Sequence, residues 1–262
     1  MRNTMQRTII MKDLKAIIAN KRMFSVMLIV PLIMAAVLPS IFILLLYFVP
    51  ESASDFQVLM GAAGGEPIGD INRAVLILLM DNIMPIFFIM IPIMVASVMA
   101  ASSFVGEKEK RTLETLLYSP ISLKQIYQAK IGASFLMSML VSFLSFILMV
   151  IVTQVEIVLT TGSLLLPSIS WLVVMLLLSP AVSLIGIVVI VRGSAKAQST
   201  EEAQQRSSLL VLPIVLLVVG QFSGLLMVNA WMLLGMSVLF AAIALILMNG
   251  SFRKLSYEAL LK

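Results

Sequence analysis

The chain has 262 residues, of which 61% are hydrophobic and 12% charged, and its mean hydropathy is +1.10. Soluble domains are about half apolar and about a quarter charged, so this composition indicates a membrane protein with several spans. The sequence contains no His and no Cys. This excludes disulfides, zinc and iron–sulfur sites, and catalysis by an imidazole or a thiolate. We expect no catalytic, cofactor-binding or metal-binding residues in this chain.

Six apolar windows with little charge are long enough to cross a membrane, since a spanning helix needs about 20 apolar residues. They lack the apolar–polar alternation of a barrel strand, so they predict helices and an all-α fold. The predicted spans are residues 23–48, 83–104, 131–152, 171–191, 208–228 and 231–248.

The distribution of Lys and Arg predicts that both termini are cytoplasmic. With the N-terminus inside, segments 1–22, 105–130, 192–207 and 249–262 contain every basic residue except Arg73. This agrees with the excess of positive charge that cytoplasmic loops carry. No basic patch is interleaved with aromatic residues, so we expect no nucleic-acid partner.

Residues 8–22, ahead of the first span, have the pattern of an amphipathic helix. We expect this elbow helix to lie along the inner leaflet with its basic side on anionic head groups, which makes membrane lipids a partner. Two roles stay open: a plain membrane anchor, or an element through which a cytosolic partner moves the first span. The basic residues of this segment are Lys12, Lys15, Lys21 and Arg22.

The first cytoplasmic loop, within residues 105–130, contains a short charged helix predicted at 107–118. Pro120 ends this helix, and Ser122 with Gln125 forms a capping box that starts the next one. Charges at one end and leucines at the other suit binding by a cytosolic protein.

The third span carries four serines on one face, three or four residues apart. This stripe predicts either a close helix–helix contact or a mildly polar wall of a translocation path. Its members are Ser134, Ser138, Ser142 and Ser145.

The stretch GEKEKRTLETLLYSPIS at 106–122 resembles the motif of the integral membrane permeases of type-2 ABC exporters. This family includes the sodium- and drug-export permeases of bacteria and archaea. The charged residues at 12–22 and Pro31 are similar to the family's elbow helix and first span, and the six spans extend the resemblance over the whole chain. The resemblance implies a single permease domain, residues 1–262, that crosses a bacterial or archaeal cell membrane several times.

The resemblance further implies the transmembrane half of an ATP-driven exporter. Two permeases, identical or different, pair with two copies of a separate ABC ATPase, which binds ATP and Mg. The ATPase contacts a coupling helix in the first cytoplasmic loop. On this chain the resemblance assigns that contact to Glu107, Glu109, Arg111, Thr112, Glu114 and Leu117.

No Gly is followed by Lys in this chain, so it has no Walker A loop and the ATPase must be another protein. The short outer segment 49–82 favours a hydrophobic or amphiphilic substrate, such as a drug, a peptide or a lipid. Many sodium-export relatives have a large extracellular domain at this place, but sodium export stays an alternative. A second alternative is a membrane-anchored interaction or immunity protein that transports nothing.

Overall fold

The computed structural model describes residues 2–48, 71–109, 122–194, 197–223 and 228–253. Within these residues the chain is helical and contains no strand, so the all-α prediction is confirmed. Six helices are long and apolar enough to cross a membrane. Together with the helix at the N-terminus they form the bundle, and the fifth candidate span, Thr200–Phe222, is divided into two shorter helices.

We number these helices α1 to α8. Two of them, α3 (71–109) and α5 (Ile169–Gly193), contain internal π-helical turns, and α3 is interrupted at Ile89. A short 3₁₀ turn, Leu209–Val211, connects α6 to α7. The remaining helices are α1 (Arg2–Ala19), α2 (Lys21–Phe48), α4 (Leu123–Thr161), α6 (Thr200–Ser208), α7 (Leu212–Phe222) and α8 (Ala230–Arg253).

The bundle is built around α3 and α5, which are the most buried spans. The helix α3 packs between α4 and α5, while α2 covers α4 and α8 covers α5. The outer helices bury one stripe each and expose Ile, Leu and Val on the opposite side. In α2, for example, the buried residues recur every three or four positions from Met27 to Leu46. These exposed apolar stripes are the surfaces that a bilayer or a second subunit would cover.

Each predicted span overlaps one of these helices, although α3 and α4 extend well beyond the windows 83–104 and 131–152. The capping box that sequence reasoning placed before the third span is present. The side chain of Ser122 accepts from the Gln125 amide at 3.4 Å, and the Gln125 side chain accepts from the Ser122 amide at 3.2 Å. At its other end α4 stops at Gly162, whose φ of 67° is the left-handed conformation that glycine favours.

The two π-helical turns, Leu79–Ile83 in α3 and Val174–Leu178 in α5, lie toward the end of the bundle opposite α1. A π turn displaces the regular hydrogen-bond ladder, and two buried side chains bond to carbonyls of the turn in α3. The indole of Trp171 donates to the Met80 carbonyl at 2.9 Å, and the Gln221 amide donates to the Asn82 carbonyl at 3.1 Å. These bonds join α3 to α5 and α7.

Candidate functional site

The candidate site lies where α1, the last turn of α3 and the first turns of α4 meet. Helix α1 packs mainly on α4. Its Ile9 contacts Ile126 and Ala129, and its Ile17 is buried among apolar residues of α2, α3 and α4. The apolar side expected to face lipid therefore packs largely on protein, although Ile18 is exposed. The elbow role of this helix stays a prediction.

A buried ammonium group is at the centre of this junction. The Lys130 side chain on α4 is only 2% exposed, and its Nζ lies 2.8 Å from Glu107 Oε2 on α3. The same Nζ donates to the Ser103 carbonyl at 2.5 Å and lies 3.6 Å from Asp13 Oδ2 on α1. The Phe104 ring covers it, with the centroid 5.5 Å from Nζ. Lys130 thus contacts groups from two other helices at once.

Two lysines share the same two carboxylates. Lys12 Nζ lies 2.5 Å from Glu107 Oε1 and 3.6 Å from Asp13 Oδ1. The Ser103 hydroxyl donates to Asp13 Oδ2 at 2.6 Å, which fixes the position of that carboxylate. The formal charges of the two lysines and the two carboxylates add up to zero, which limits the cost of burying charged groups here. Removing one member of a buried pair typically costs about 3–5 kcal/mol, because its partner is left without compensation.

Lys12 is the solvent-facing member of this cluster, with a half-exposed side chain. Partial burial lowers its pKa, but the hydrogen bond to Glu107 and the attraction of Glu107 and Asp13 outweigh burial, so the net pKa is raised above 10.5. Lys12 is therefore charged at every physiological pH and keeps Glu107 paired at the protein surface.

A polar cleft of about 190 Å³ opens between α1 and the end of α3, beside the cluster. It is lined by Lys12, Asp13 and Glu107 together with Asn20, Ser102 and Ser103. Asn20 also caps α2, since its side-chain oxygen accepts from the Met23 amide at 3.3 Å. Only this one residue separates α1 from the first span, so a movement of α1 acts directly on α2.

Glu109, the last described residue of α3, contacts the start of α6. Its Oε2 accepts from the Thr200 amide at 3.3 Å, at the N-terminus of α6, where a carboxylate is favoured by the helix dipole. A Cβ placed on Gly106 would be 3.4 Å from the Thr200 side chain, so the two segments pack closely. The N-terminus of α6 is thereby fixed next to the C-terminal end of α3.

The structure describes two of the six predicted ATPase-contact residues, Glu107 and Glu109. Glu107 lies in the charged cluster and Glu109 contacts α6. Arg111, Thr112, Glu114 and Leu117 lie outside the described residues, so the coupling-helix assignment stays a prediction. Of the elbow lysines and arginine, Lys12 belongs to the cluster, whereas Lys15, Lys21 and Arg22 are exposed.

The serine stripe of the third span faces the interior of the subunit, and all four side chains are fully buried. The Ser134 hydroxyl donates to the Lys130 carbonyl at 3.0 Å, within α4. The Ser138 hydroxyl donates across to the Pro92 carbonyl of α3 at 2.8 Å. Ser142 and Ser145 have no hydrogen-bond partner among the described residues. The burial of the stripe and the bond from Ser138 to α3 favour its interpretation as a helix–helix contact. A translocation role for the stripe stays a prediction.

Sequence reasoning did not single out three members of the cluster: Asp13, Ser103 and Lys130. Lys130 counted only as one of the basic residues that set topology, and Asp13 as part of the charged N-terminal segment. One signal was present, because Lys130 lies within an apolar helix two turns after the capping box, where a solvated lysine is not expected.

A bundle of six apolar helices with a charged junction at one end defines a multi-pass membrane protein. The family model described as "ABC-2 family transporter protein" matches residues 7–231, most of the chain, so the chain belongs to this family. It is thus a transmembrane subunit of a transporter, and membership implies in general a partnership with an ABC ATPase and dimerisation. No curated protein and no solved structure matches the chain.

Proposed function

We propose that this chain is the transmembrane subunit of an ATP-driven exporter in a bacterial or archaeal cell membrane. Two copies, or this chain and a related permease, pair with two copies of a separate ABC ATPase that binds ATP and Mg. The observation that carries the proposal is the match to the ABC-2 family together with the charged junction that ends where the first cytoplasmic loop begins.

The proposed mechanism follows from the connections at this junction. Glu107 is the first residue of the coupling helix predicted at 107–118, and its two carboxylate oxygens contact lysines of α1 and α4. A partner that displaces the loop therefore acts on the contacts among three helices. Because α1 leads into α2, and α3 and α4 are themselves spans, closure of the ATPases would tilt the first three spans. This tilt would switch the complex between inward- and outward-open states.

We place the substrate path between the two permeases. Two cavities between the spans of the subunit hold only about 20 Å³ each, the space of about one water molecule. In contrast, the outer faces of α2, α4, α7 and α8 are broad and apolar. A path bounded by such faces suits a hydrophobic or amphiphilic substrate, such as a drug, a peptide or a lipid, that enters from the bilayer.

The test is purification of the tagged chain from native membranes in mild detergent, followed by an ATPase assay of the eluate. We expect a Walker A protein to co-purify, and Glu114→Arg to release it while the permease itself stays monodisperse. Arg73→Glu is the matched control, since Arg73 is exposed and predicted to lie on the other side of the membrane. If no ATPase co-purifies, the anchored interaction protein becomes the better account. ATPase stimulation by sodium alone would favour the sodium-export alternative.

A further inference from the structure

We propose that Lys130 is a positioning residue that exchanges its carboxylate partner, from Glu107 to Asp13, when the first cytoplasmic loop moves. The inference rests on the proposed function, because that function supplies the force on the loop. The exchange would transmit motion from α3 to α1.

Both lysines of the cluster lie closer to Glu107 than to Asp13. Both ammonium groups are close to Glu107, at 2.8 Å from Lys130 and 2.5 Å from Lys12. Both are farther from Asp13, at 3.6 Å in each case. In this state the two lysines therefore pair with the carboxylate next to the loop, and the second carboxylate is less than 1 Å beyond direct hydrogen-bond distance.

The burial of Lys130 requires that its charge stay paired. The Lys130 side chain is 2% exposed, so protein groups rather than bulk water surround its ammonium group. An ammonium without a counter-charge at such a site is strongly unfavourable. If the loop draws Glu107 away, Asp13 is the acidic group already beside Lys130, and the pair reforms with it.

Lys130 and Asp13 also share a contact at Ser103, one turn before Glu107 on α3. The Lys130 Nζ donates to the Ser103 carbonyl, and the Ser103 hydroxyl holds Asp13 at 2.6 Å. Lys130 and Asp13 are thus positioned on a common residue of α3, and the exchange needs only a short movement of α1 toward α4. Because Asn20 alone separates α1 from α2, this movement reaches the first span.

The test uses the rate at which a disulfide forms between α1 and α4. The side chains of Gln6 and Gln128 contact each other, with Nε2 and Oε1 3.4 Å apart, and the natural chain has no Cys. Gln6→Cys with Gln128→Cys therefore gives a single pair whose crosslinking rate reports how closely α1 approaches α4. Glu107→Gln imitates the loss of Glu107 in the purified permease, without any ATPase.

We expect Glu107→Gln to raise the crosslinking rate several-fold, because Lys130 then draws Asp13 and α1 toward α4. The increase should disappear when Lys130→Met is added and persist with Lys130→Arg, which keeps the charge. Lys124→Met, at an exposed lysine of the same helix, is the matched control and should leave the increase unchanged. If Lys130→Met does not fold, adding Asp13→Asn to Glu107→Gln must abolish the increase instead.

An unchanged rate in Glu107→Gln, or an increase that persists without Lys130, would overturn the proposal. In the complex purified from native membranes, a non-hydrolysable ATP analogue should produce the same increase, and Lys130→Met should remove it. Absence of a co-purifying ATPase would refute the proposed function but leave the exchange measured in the isolated permease standing. A complex whose crosslinking rate does not respond to nucleotide would refute the exchange alone.

Discussion

Replacing Trp171 by Phe tests whether the π-helical turn of α3 is stabilised from a neighbouring helix. Trp171 is 2% exposed, and its ring packs against Phe88 and Phe146 with centroids 5.6 Å away in both cases. Trp171→Phe keeps an aromatic ring in this cluster but removes the Nε1–H that donates to the Met80 carbonyl at 2.9 Å.

The expected loss of stability is about 2 kcal/mol. A hydrogen bond between membrane helices contributes about 0.6 kcal/mol on average and up to about 1.7 kcal/mol. The smaller ring also leaves a void of at least a methyl group, which costs about 1 kcal/mol. The contribution of the bond to Met80 should lie near the upper end of this range, because the substitution leaves a carbonyl of the buried π turn without its donor.

The assay is reversible unfolding of the purified protein in mixed micelles, which gives the free energy of unfolding. Trp231→Phe is the matched control: this tryptophan is 80% exposed, so we expect a change below about 0.5 kcal/mol. The chain contains two tryptophans, so Trp231→Phe also leaves Trp171 as the only indole fluorophore. Equal losses for the two substitutions would refute the role of Trp171 at the π turn.

Three further predictions concern other parts of the bundle. Ser138→Ala should lower the free energy of unfolding by about 1 kcal/mol, because it removes the bond to Pro92, whereas Ser142→Ala should leave it within about 0.5 kcal/mol. A Ser142→Ala protein of normal stability with altered transport in proteoliposomes would instead support the translocation-path interpretation of the stripe. Arg192→Met should speed hydrogen exchange at the end of α8, because Arg192 Nη2 donates to the Leu247 carbonyl at 2.6 Å; an unchanged rate would show that this bond does not hold the helix end. Since the pKa of Lys12 is raised in the folded state, its stabilising contribution should be fully present below pH 10.5 and decrease only as the pH rises through that raised pKa. Stability measured against pH should show this decrease in the unaltered protein and not in Lys12→Met.

The features that follow from local sequence were predictable. Low charge over about 20 residues identified six spans, because a bilayer excludes charge wherever the chain crosses it. The capping box at Ser122 was predictable because both partners lie within four residues of each other.

The charged junction was not predictable, because its pairs join residues far apart in the chain. Asp13 and Lys130 are separated by more than 100 residues, and nothing in either segment indicates the other. The positive-inside rule even conceals Lys130, since a basic residue at the cytoplasmic end of a span is expected for topology alone. Its burial is a consequence of tertiary packing.

The same limit applies to α1 and to the π turns. An apolar stripe such as that of α1 predicts burial, but its spacing does not distinguish a lipid surface from another helix. In the structure Ile9 and Ile17 pack on protein. The π turn at Leu79–Ile83 depends in turn on side chains of Trp171 and Gln221, which approach only in the folded bundle.

The most direct test of the central claim is the mass of the intact complex released from native membranes. We predict that native mass spectrometry gives a complex of two permease chains, of which at least one is this 28.6 kDa subunit, and two copies of a Walker A protein. Peptide sequencing of the dissociated subunits identifies the partner. A mass equal to this chain alone, or to this chain with a partner that has no Walker A loop, would contradict the account.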